Sequence, residues 1–428
     1  MSIAESKSTP KVSKLAENII GSEIIKLAGE VNEKIKQGEH IYNLTIGDFN
    51  PKVFPIPTKL KQDIVDAYMA DHTNYPAADG MLELRTAVSN LLKERGQLNY
   101  AVDEIVITGG ARPGIYTIFK AIVDEGDTVL FPVPSWNNNH YTYLNNAKAV
   151  MIETSPDNKF MPTAAEIAPH IAGANLLALC SPLNPTGTVF KEKDLAEICD
   201  LVLAENKLRE AKGEKPLYVM YDQIYWPLTH GAIKHFNPVT LRPEMRQYTI
   251  FVDGISKSLA ATGVRVGWTL GPKPIMDKIK SILTHVGAWA PKAEQIAVAN
   301  YLMNLAEYDA FISQINKEIN VRLEGFHDGF QALKDEGHQV DSIAPEAAIY
   351  LTIQLNLTGK TTQHGKILQN TQDVTKYILE VAKVAVVPFY AFGSSTDSNW
   401  YRLSVGTCKK EDVAGVISNL RTALRFLS

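Results

Sequence analysis

From about residue 105 to residue 275, short apolar runs alternate with longer stretches of helical periodicity, and no other feature of the chain limits its fold so strongly. The runs lie at 104–108, 128–132, 176–180, 217–221, 249–252 and 265–270. Strands separated by amphipathic helices are joined by right-handed crossovers, so they build βαβ units on a sheet covered by helices on both faces. The expected fold class is therefore α/β, a large domain with a mostly parallel, doubly wound sheet.

The chain beyond this region has a different pattern. Residues 291–333 read as long helices, with Ala297, Tyr301 and Leu305 on one apolar stripe and Ile315, Ile319, Leu323 and Phe326 on another. Candidate strands at 348–355, 384–387 and 401–405 and a closing helix at 411–426 then suggest a smaller α+β domain. A helix and a strand from the N-terminal fifty residues are expected to join it. With 428 residues to place, the predicted division is an N-terminal arm at 1–50, a large domain at 51–296 and a small C-terminal domain at 297–428.

Composition narrows the partners. Lys plus Arg number 43 against 47 Asp plus Glu, a net charge of −4 with no long basic run, so no nucleic-acid partner is expected. Cys180, Cys199 and Cys408 lie far apart without a CxxC pair, which supports neither a disulfide framework nor a cysteine-based metal site. The opening segment MSIAESKSTPKVSK has no apolar core, and no run approaches the roughly 18 apolar residues of a membrane helix. A cytoplasmic protein with no membrane partner is the expectation.

Four segments carry chemistry. After the run ending at Thr108 comes Gly109-Gly110-Ala111-Arg112-Pro113, followed by Ile115, Ile118, Phe119 and Ile122 at helical spacing. Taken alone this is an ordinary Gly-rich turn into a helix, although free N–H groups at such a helix start favour a phosphate. The stretch Gly254 to Gly267 (GISKSLAATGVRVG) sets Lys257 among small residues after an apolar strand, with Arg265 eight positions later. A lysine in a desolvated pocket loses its proton and can form a Schiff base; a solvated loop lysine would do nothing of the kind. Asn184-Pro185-Thr186-Gly187 and Asp222-Gln223-Ile224-Tyr225 follow two other strands. Strand carboxyl ends meet at one crevice in a doubly wound sheet, so Asn184, Asp222 and Lys257 are expected to converge.

With Tyr401-Arg402-Leu403-Ser404 near the end, these landmarks resemble the class I/II aminotransferases, fold type I enzymes of the aspartate and aromatic aminotransferase kind that depend on pyridoxal 5′-phosphate (PLP). The resemblance runs from Asn43-Leu44-Thr45-Ile46-Gly47 onward. It implies that Lys257 is the Schiff-base lysine and proton shuttle, that Asp222 pairs with the pyridine nitrogen, and that Asn184 and Tyr225 bind the phenolic oxygen. Arg265, Ser256 and the N–H groups of Gly110 and Ala111 would hold the phosphate, and Trp136 would stack on the ring unless it is merely core. Arg402, with Gly47 and Asn184 beside it, would take the substrate α-carboxylate. Tyr75 matches a tyrosine that reaches a neighbouring subunit's phosphate, which implies a homodimer with shared active sites.

The chain departs from the family pattern at three places. Gly254 stands where some members have a phosphate-binding serine. Trp136-Asn137-Asn138-Asn139-His140 carries one residue more than the family's run to the histidine behind the aspartate, leaving Asn139 and His140 as alternatives. Phe389 replaces a usual glycine and is expected to narrow the pocket. The implied activity is ping-pong transfer of an amino group between an L-amino acid and a 2-oxo acid, aspartate or glutamate on one reading and an aromatic amino acid on another. Arg112, Lys292 or a residue from a partner subunit could supply a distal cation; Trp226, Trp289 and Tyr390 could line an aromatic pocket. A lyase or decarboxylase of the same fold is the alternative, and a PLP-sensing regulator a more distant one.

Overall fold

The computed structural model describes residues 11–19, 21 and 23–428, so part of the expected N-terminal arm (1–10, 20 and 22) lies outside the described residues. In chain order the strands are β1 (Tyr42–Asn43), β2 (Ile105–Thr108), β3 (Thr128–Val133), β4 (Lys148–Glu153), β5 (Leu176–Cys180), β6 (Tyr218–Asp222) and β7 (Thr249–Gly254). They continue with β8 (Gly267–Leu270), β9 (Val340–Ser342), β10 (Tyr350–Leu355), β11 (Val384–Ala385), β12 (Val387–Pro388) and β13 (Trp400–Ser404).

Seven strands form the large sheet in the order β2-β8-β7-β6-β5-β3-β4. The pairings among β3 to β7 are parallel, whereas β8 runs antiparallel to both β2 and β7. This is the mostly parallel α/β sheet read from the apolar runs. The central strands β5, β6 and β7 are buried along most of their length, as strands covered on both faces must be. Strand β4 has no counterpart among the predicted runs: it is the sheet's edge, and although Ala149 to Ile152 form a short apolar run, only Ile152 of KAVMIE is buried. The run expected to begin at Arg265 becomes strand only at Gly267, because Arg265 takes a left-handed φ of 60° and closes the preceding loop.

The helix Ala111–Ile122 starts three residues after β2. Its predicted apolar face, Ile115, Ile118, Phe119 and Ile122, packs with Val106, Phe131, Ile250 and Val252 of the sheet. The smaller sheet is built from the strands that come later in the chain: β12-β13-β10-β9 pair antiparallel, and β1 pairs in parallel with β11 beside them. The helices Leu305–Asp335 and Asp412–Arg425 cover these strands. Ile315, Ile319, Leu323 and Phe326 lie in their core with Leu351, Ile353 and Leu403. The earlier stripe, Ala297, Tyr301 and Leu305, packs instead with the core of the large sheet. The predicted strand at 384–387 is two strands, since β11 turns to β1 while β12 turns to β13.

The two sheets are joined through the Asn184–Gly187 turn. Ala347 N–H donates to the Gly187 carbonyl at 2.8 Å and Thr352 Oγ1 donates to the Thr186 carbonyl at 2.8 Å. Gly187 has a φ of +72°, and a Cβ there would strike the carbonyl oxygens of Tyr350 and Ala347. Those are main-chain atoms at and just before a paired strand and cannot swing aside. Gly187→Ala should therefore cost about 2–4 kcal/mol and lower the thermal midpoint. A calorimetric scan superimposable on the parent would show that the two layers are not locked here.

Candidate active site

The carboxyl ends of β5, β6 and β7 deliver Cys180, Asp222 and Gly254 to one edge of the large sheet, Cys180 standing in register with Asp222 and Asp222 with Val252. A cavity of about 660 Å³ opens there. Gly47, Ala111, Trp136, Asn184, Asp222, Tyr225, Ser256, Lys257, Arg265 and Arg402 all line it. Residues as distant in sequence as Gly47 and Arg402 thus meet where the strand ends predicted a crevice.

Glycines make this convergence possible. A Cβ on Gly254 would stand 2.7 Å from Gly267 Cα, and a Cβ on Gly267 would stand 2.6 Å from the Gly110 carbonyl carbon and 2.8 Å from Ala111 N. Strand β7, strand β8 and the start of the helix Ala111–Ile122 therefore touch backbone to backbone. This explains the departure at Gly254, where a serine side chain would have no room. Gly110, with φ of +88°, leaves its Cβ space to the Arg265 guanidinium.

Burial pushes the Lys257 amine down to about 8; Asp48 pulls it upward, while Arg402, Arg112 and Arg265 add to the lowering. Lys257 Nζ donates to the Gly47 carbonyl at 2.5 Å. Asp222 is pushed by burial up to about 6, against the opposing effects of an Ile224 N–H and the charge of Lys257. One carboxylate oxygen of Asp222 accepts the Ile224 N–H at 3.0 Å, and its other oxygen has no partner among the described residues. Arg265 donates to the carbonyls of Thr262 (2.8 Å) and Gly109 (2.9 Å). Arg402, which is buried, donates to Asn184 Oδ1 at 3.0 Å and to the Thr45 carbonyl at 2.5 Å, while its Nε has no partner among the described residues. Among the described residues neither Arg265, Arg402 nor Lys257 forms an ion pair with a carboxylate. The cavity is therefore lined by largely desolvated cations that carbonyl oxygens hold in place and that remain open to anions.

Other sequence expectations come out differently. Phe389 does not narrow the cavity; it is buried in an aromatic cluster with Phe160 at 5.1 Å and Phe392 at 6.5 Å. Phe392 is the residue that approaches the site, its ring 4.9 Å from the Arg402 guanidinium carbon. Asn139 is exposed, and neither it nor His140 bonds the Asp222 carboxylate. Trp226, Trp289, Tyr390 and Lys292 lie off the cavity wall, Lys292 bonding Asn74 instead. Tyr75 is 83% exposed and lies against Trp289 at 5.7 Å, away from the cavity of its own chain. Arg112 does line the cavity, stacked 4.6 Å above the Trp136 ring. The sequence reading missed Asp48, Thr262 and Tyr350. Asp48 adjoins Gly47 and was within reach of the motif, but Tyr350 sits in an apolar strand that carries no signal of chemistry.

Three comparisons bear on this geometry. The family model described as "Aminotransferase class I and II" matches residues 39–420. The chain is 27% identical over 379 residues to a probable aspartate/prephenate aminotransferase of Rickettsia prowazekii, covering 88% of this chain and 90% of that one. It is 27% identical over 396 residues to an aspartate aminotransferase of Rhizobium meliloti strain 1021, covering 91% and 90%. The crystal structure of the aspartate aminotransferase from Rhizobium meliloti superimposes with a TM-score of 0.89 at 25% identity, covering 98% of this chain and all of that one.

Asp253, on β7, is fully buried and lies off the cavity wall. It accepts hydrogen bonds from Trp226 Nε1 at 2.9 Å and Gly254 N–H at 2.7 Å, and burial pushes it up to about 7. The folded chain then keeps protons on Asp222 and Asp253 that the unfolded chain releases near pH 4, so these two groups contribute stability that is lost as pH rises from about 4 to 7, while the buried His235, pushed down to about 3, contributes in the opposite direction. Asp253→Asn keeps the shape and one acceptor oxygen but removes the titration. It should shift the change in stability between pH 5 and pH 8 by about 2–3 kcal/mol in favour of the higher pH, relative to the parent, in the ligand-free protein. Urea unfolding at the two pH values checks this, and equal pH dependence in parent and variant would refute it.

Proposed function

The chain belongs to the class I and II aminotransferases and is a transaminase; from that premise we propose that it binds PLP and exchanges the amino group of an acidic amino acid with a 2-oxo acid. The observation that carries this reading is the desolvated Lys257 amine set between two arginines without counter-ions and the free oxygen of Asp222.

The residues present fit the cofactor. Its phosphate needs fixed cations and N–H donors, which Arg265, Ser256 and the helix start at Gly110 and Ala111 would supply. The ring nitrogen needs a carboxylate, and Asp222 has an oxygen to spare. Trp136 offers a flat face, and Asn184 and Tyr225 offer donors for the phenolic oxygen. When bound, PLP supplies an electron sink that lets a substrate Cα–H bond break as a proton. The protein does the rest. With its ordinary value brought down to about 8, Lys257 Nζ is neutral in a useful fraction of molecules near neutrality and can take that proton and give it back. Asp222, with one carboxylate oxygen unpartnered among the described residues, would face the ring nitrogen and favour a proton there. Arg402 is kept in place by Asn184 and the Thr45 carbonyl and would grip the α-carboxylate, fixing the Cα–H bond toward Lys257.

For substrate class, both named relatives act on aspartate by their descriptions. In this chain Arg112 has no hydrogen-bond or ion-pair partner among the described residues and stands at the cavity wall, where it would meet a distal carboxylate. We further assign a cofactor lobe that begins near 51 and a smaller lobe that brings Arg402; the boundary expected at 297 falls inside the helix Lys292–Leu302, whose Ala297 and Tyr301 pack in the large sheet's core, so the smaller lobe begins within the helix Leu305–Asp335, and the segment 41–50 lies with it. The exposure of Tyr75 supports a homodimer in which that ring serves the neighbour's site.

Lys257→Ala should abolish turnover and the visible absorption of bound cofactor. In the parent enzyme, aspartate or glutamate should bleach that absorption rapidly, with one 2-oxo acid released per site, and aromatic amino acids should not. Release of ammonia or carbon dioxide in place of the 2-oxo acid would identify a lyase or decarboxylase and defeat the proposal.

A further inference from the structure

We propose that Tyr350 is a positioning residue of this site, its hydroxyl directing the Tyr225 phenol and its ring seating the Arg402 guanidinium. The role rests on the PLP reading above, but it follows from contacts within this chain. Tyr350 lies on β10, where it pairs with Ser404, and Thr352 on the same strand pairs with Arg402. Tyr350 and Arg402 are thus diagonal neighbours on one face of the sheet. The Arg402 guanidinium carbon lies 4.7 Å from the centre of the Tyr350 ring. At the other end, the Tyr350 and Tyr225 hydroxyls are 2.5 Å apart, with the rings edge to face at 5.5 Å. Both side chains are almost wholly buried, and a Cβ on Gly47 would stand 2.8 Å from the Tyr350 oxygen.

A phenol has one proton to give. If Tyr225 donates to Tyr350, it can only accept from a ligand in the cavity; if Tyr350 donates, the Tyr225 proton is free for a ligand oxygen. No other side-chain or backbone donor reaches the Tyr225 hydroxyl among the described residues. Either hydroxyl can donate in the bond between them, and a ligand oxygen that accepts the Tyr225 proton would select one direction of relay, Tyr350 to Tyr225 to the phenolic oxygen. A proton donor on that oxygen lowers the affinity of the neighbouring nitrogen for a proton, so removing the first member of the relay should raise the pH at which the bound cofactor's visible band titrates.

Tyr350→Phe keeps the ring beside Arg402 and removes only the hydroxyl. Its expected effect is an upward shift of that spectroscopic midpoint by about 0.5–1 pH unit, the worth of one hydrogen bond. Tyr225→Phe should shift it at least as far, and the double variant no further than Tyr225→Phe alone, since both act through one oxygen. Tyr350→Leu removes the ring as well, and should raise KM for the amino acid more than it lowers kcat. Circular dichroism and thermal midpoints of all variants separate these effects from loss of fold. An unshifted midpoint in Tyr350→Phe, or shifts that add in the double variant, overturns the role. A parent enzyme that takes up PLP without any visible band overturns the functional reading itself, and this role with it.

Discussion

Everything in the site depends on desolvating positive charge without a counter-ion. A cation removed from water with no partner costs several kcal/mol or more, and the usual remedy is a carboxylate alongside it. Here the remedy is different: the carbonyls of Gly47, Thr45, Thr262 and Gly109 and the amide oxygen of Asn184 each take a hydrogen bond from Lys257, Arg402 or Arg265. Carbonyl dipoles hold a cation in place without neutralising it, so its field remains available to an incoming anion. The chain carries a net charge of −4, yet the cavity it builds is lined by Lys257, Arg265, Arg402 and Arg112. Whole-chain charge and local field answer different questions.

The same arrangement accounts for how tightly the backbone is drawn in. Carbonyl oxygens can serve as ligands to a cation only if main chain approaches main chain, and the Gly254, Gly267 and Gly110 column permits that approach between β7, β8 and the helix start. The stability given up at the cations is recovered elsewhere, in the two continuous apolar cores behind them. Asp222 and Asp253 add to the same burden from the acidic side, since burial raises both. Such perturbed groups gather where a protein keeps a reactive site.

The large sheet was legible in the sequence because its central strands are buried on both faces and so appear as unbroken apolar runs. Edge strand β4 was not, although Ala149 to Ile152 are apolar: the run is only four residues long between Lys148 and Glu153, and at the sheet's edge only Ile152 of it is buried. The same contrast separates the site residues. Lys257, Asp222, Asn184 and Arg265 sit in turns or at strand ends, where a polar or charged residue among small or apolar ones stands out. Tyr350 does not stand out: in YLTIQL it reads as one more β-forming aromatic, and only the pairing of β10 with β13 shows that it touches Arg402. Phe389 misled for a related reason, since its place in the motif said nothing of the Phe160 and Phe392 rings that draw it into the core.

The electrostatics tie the two sheets into one chemical unit. Lys257 belongs to the large sheet's edge, Arg402 and Tyr350 to the smaller sheet, and Gly47 to the segment after β1. The charge of Arg402 is among the influences that hold the Lys257 amine down, and the Gly47 carbonyl accepts its hydrogen bond. Any displacement that carried the smaller sheet away would admit water and undo the burial that chiefly holds the amine down, while the opposing charges of Asp48 and Arg402 would leave together. Seating the smaller sheet against the larger one therefore does more than enclose the cavity: the burial that lowers the Lys257 amine and the placing of the Arg402 guanidinium at the cavity wall come from the same packing of the two sheets.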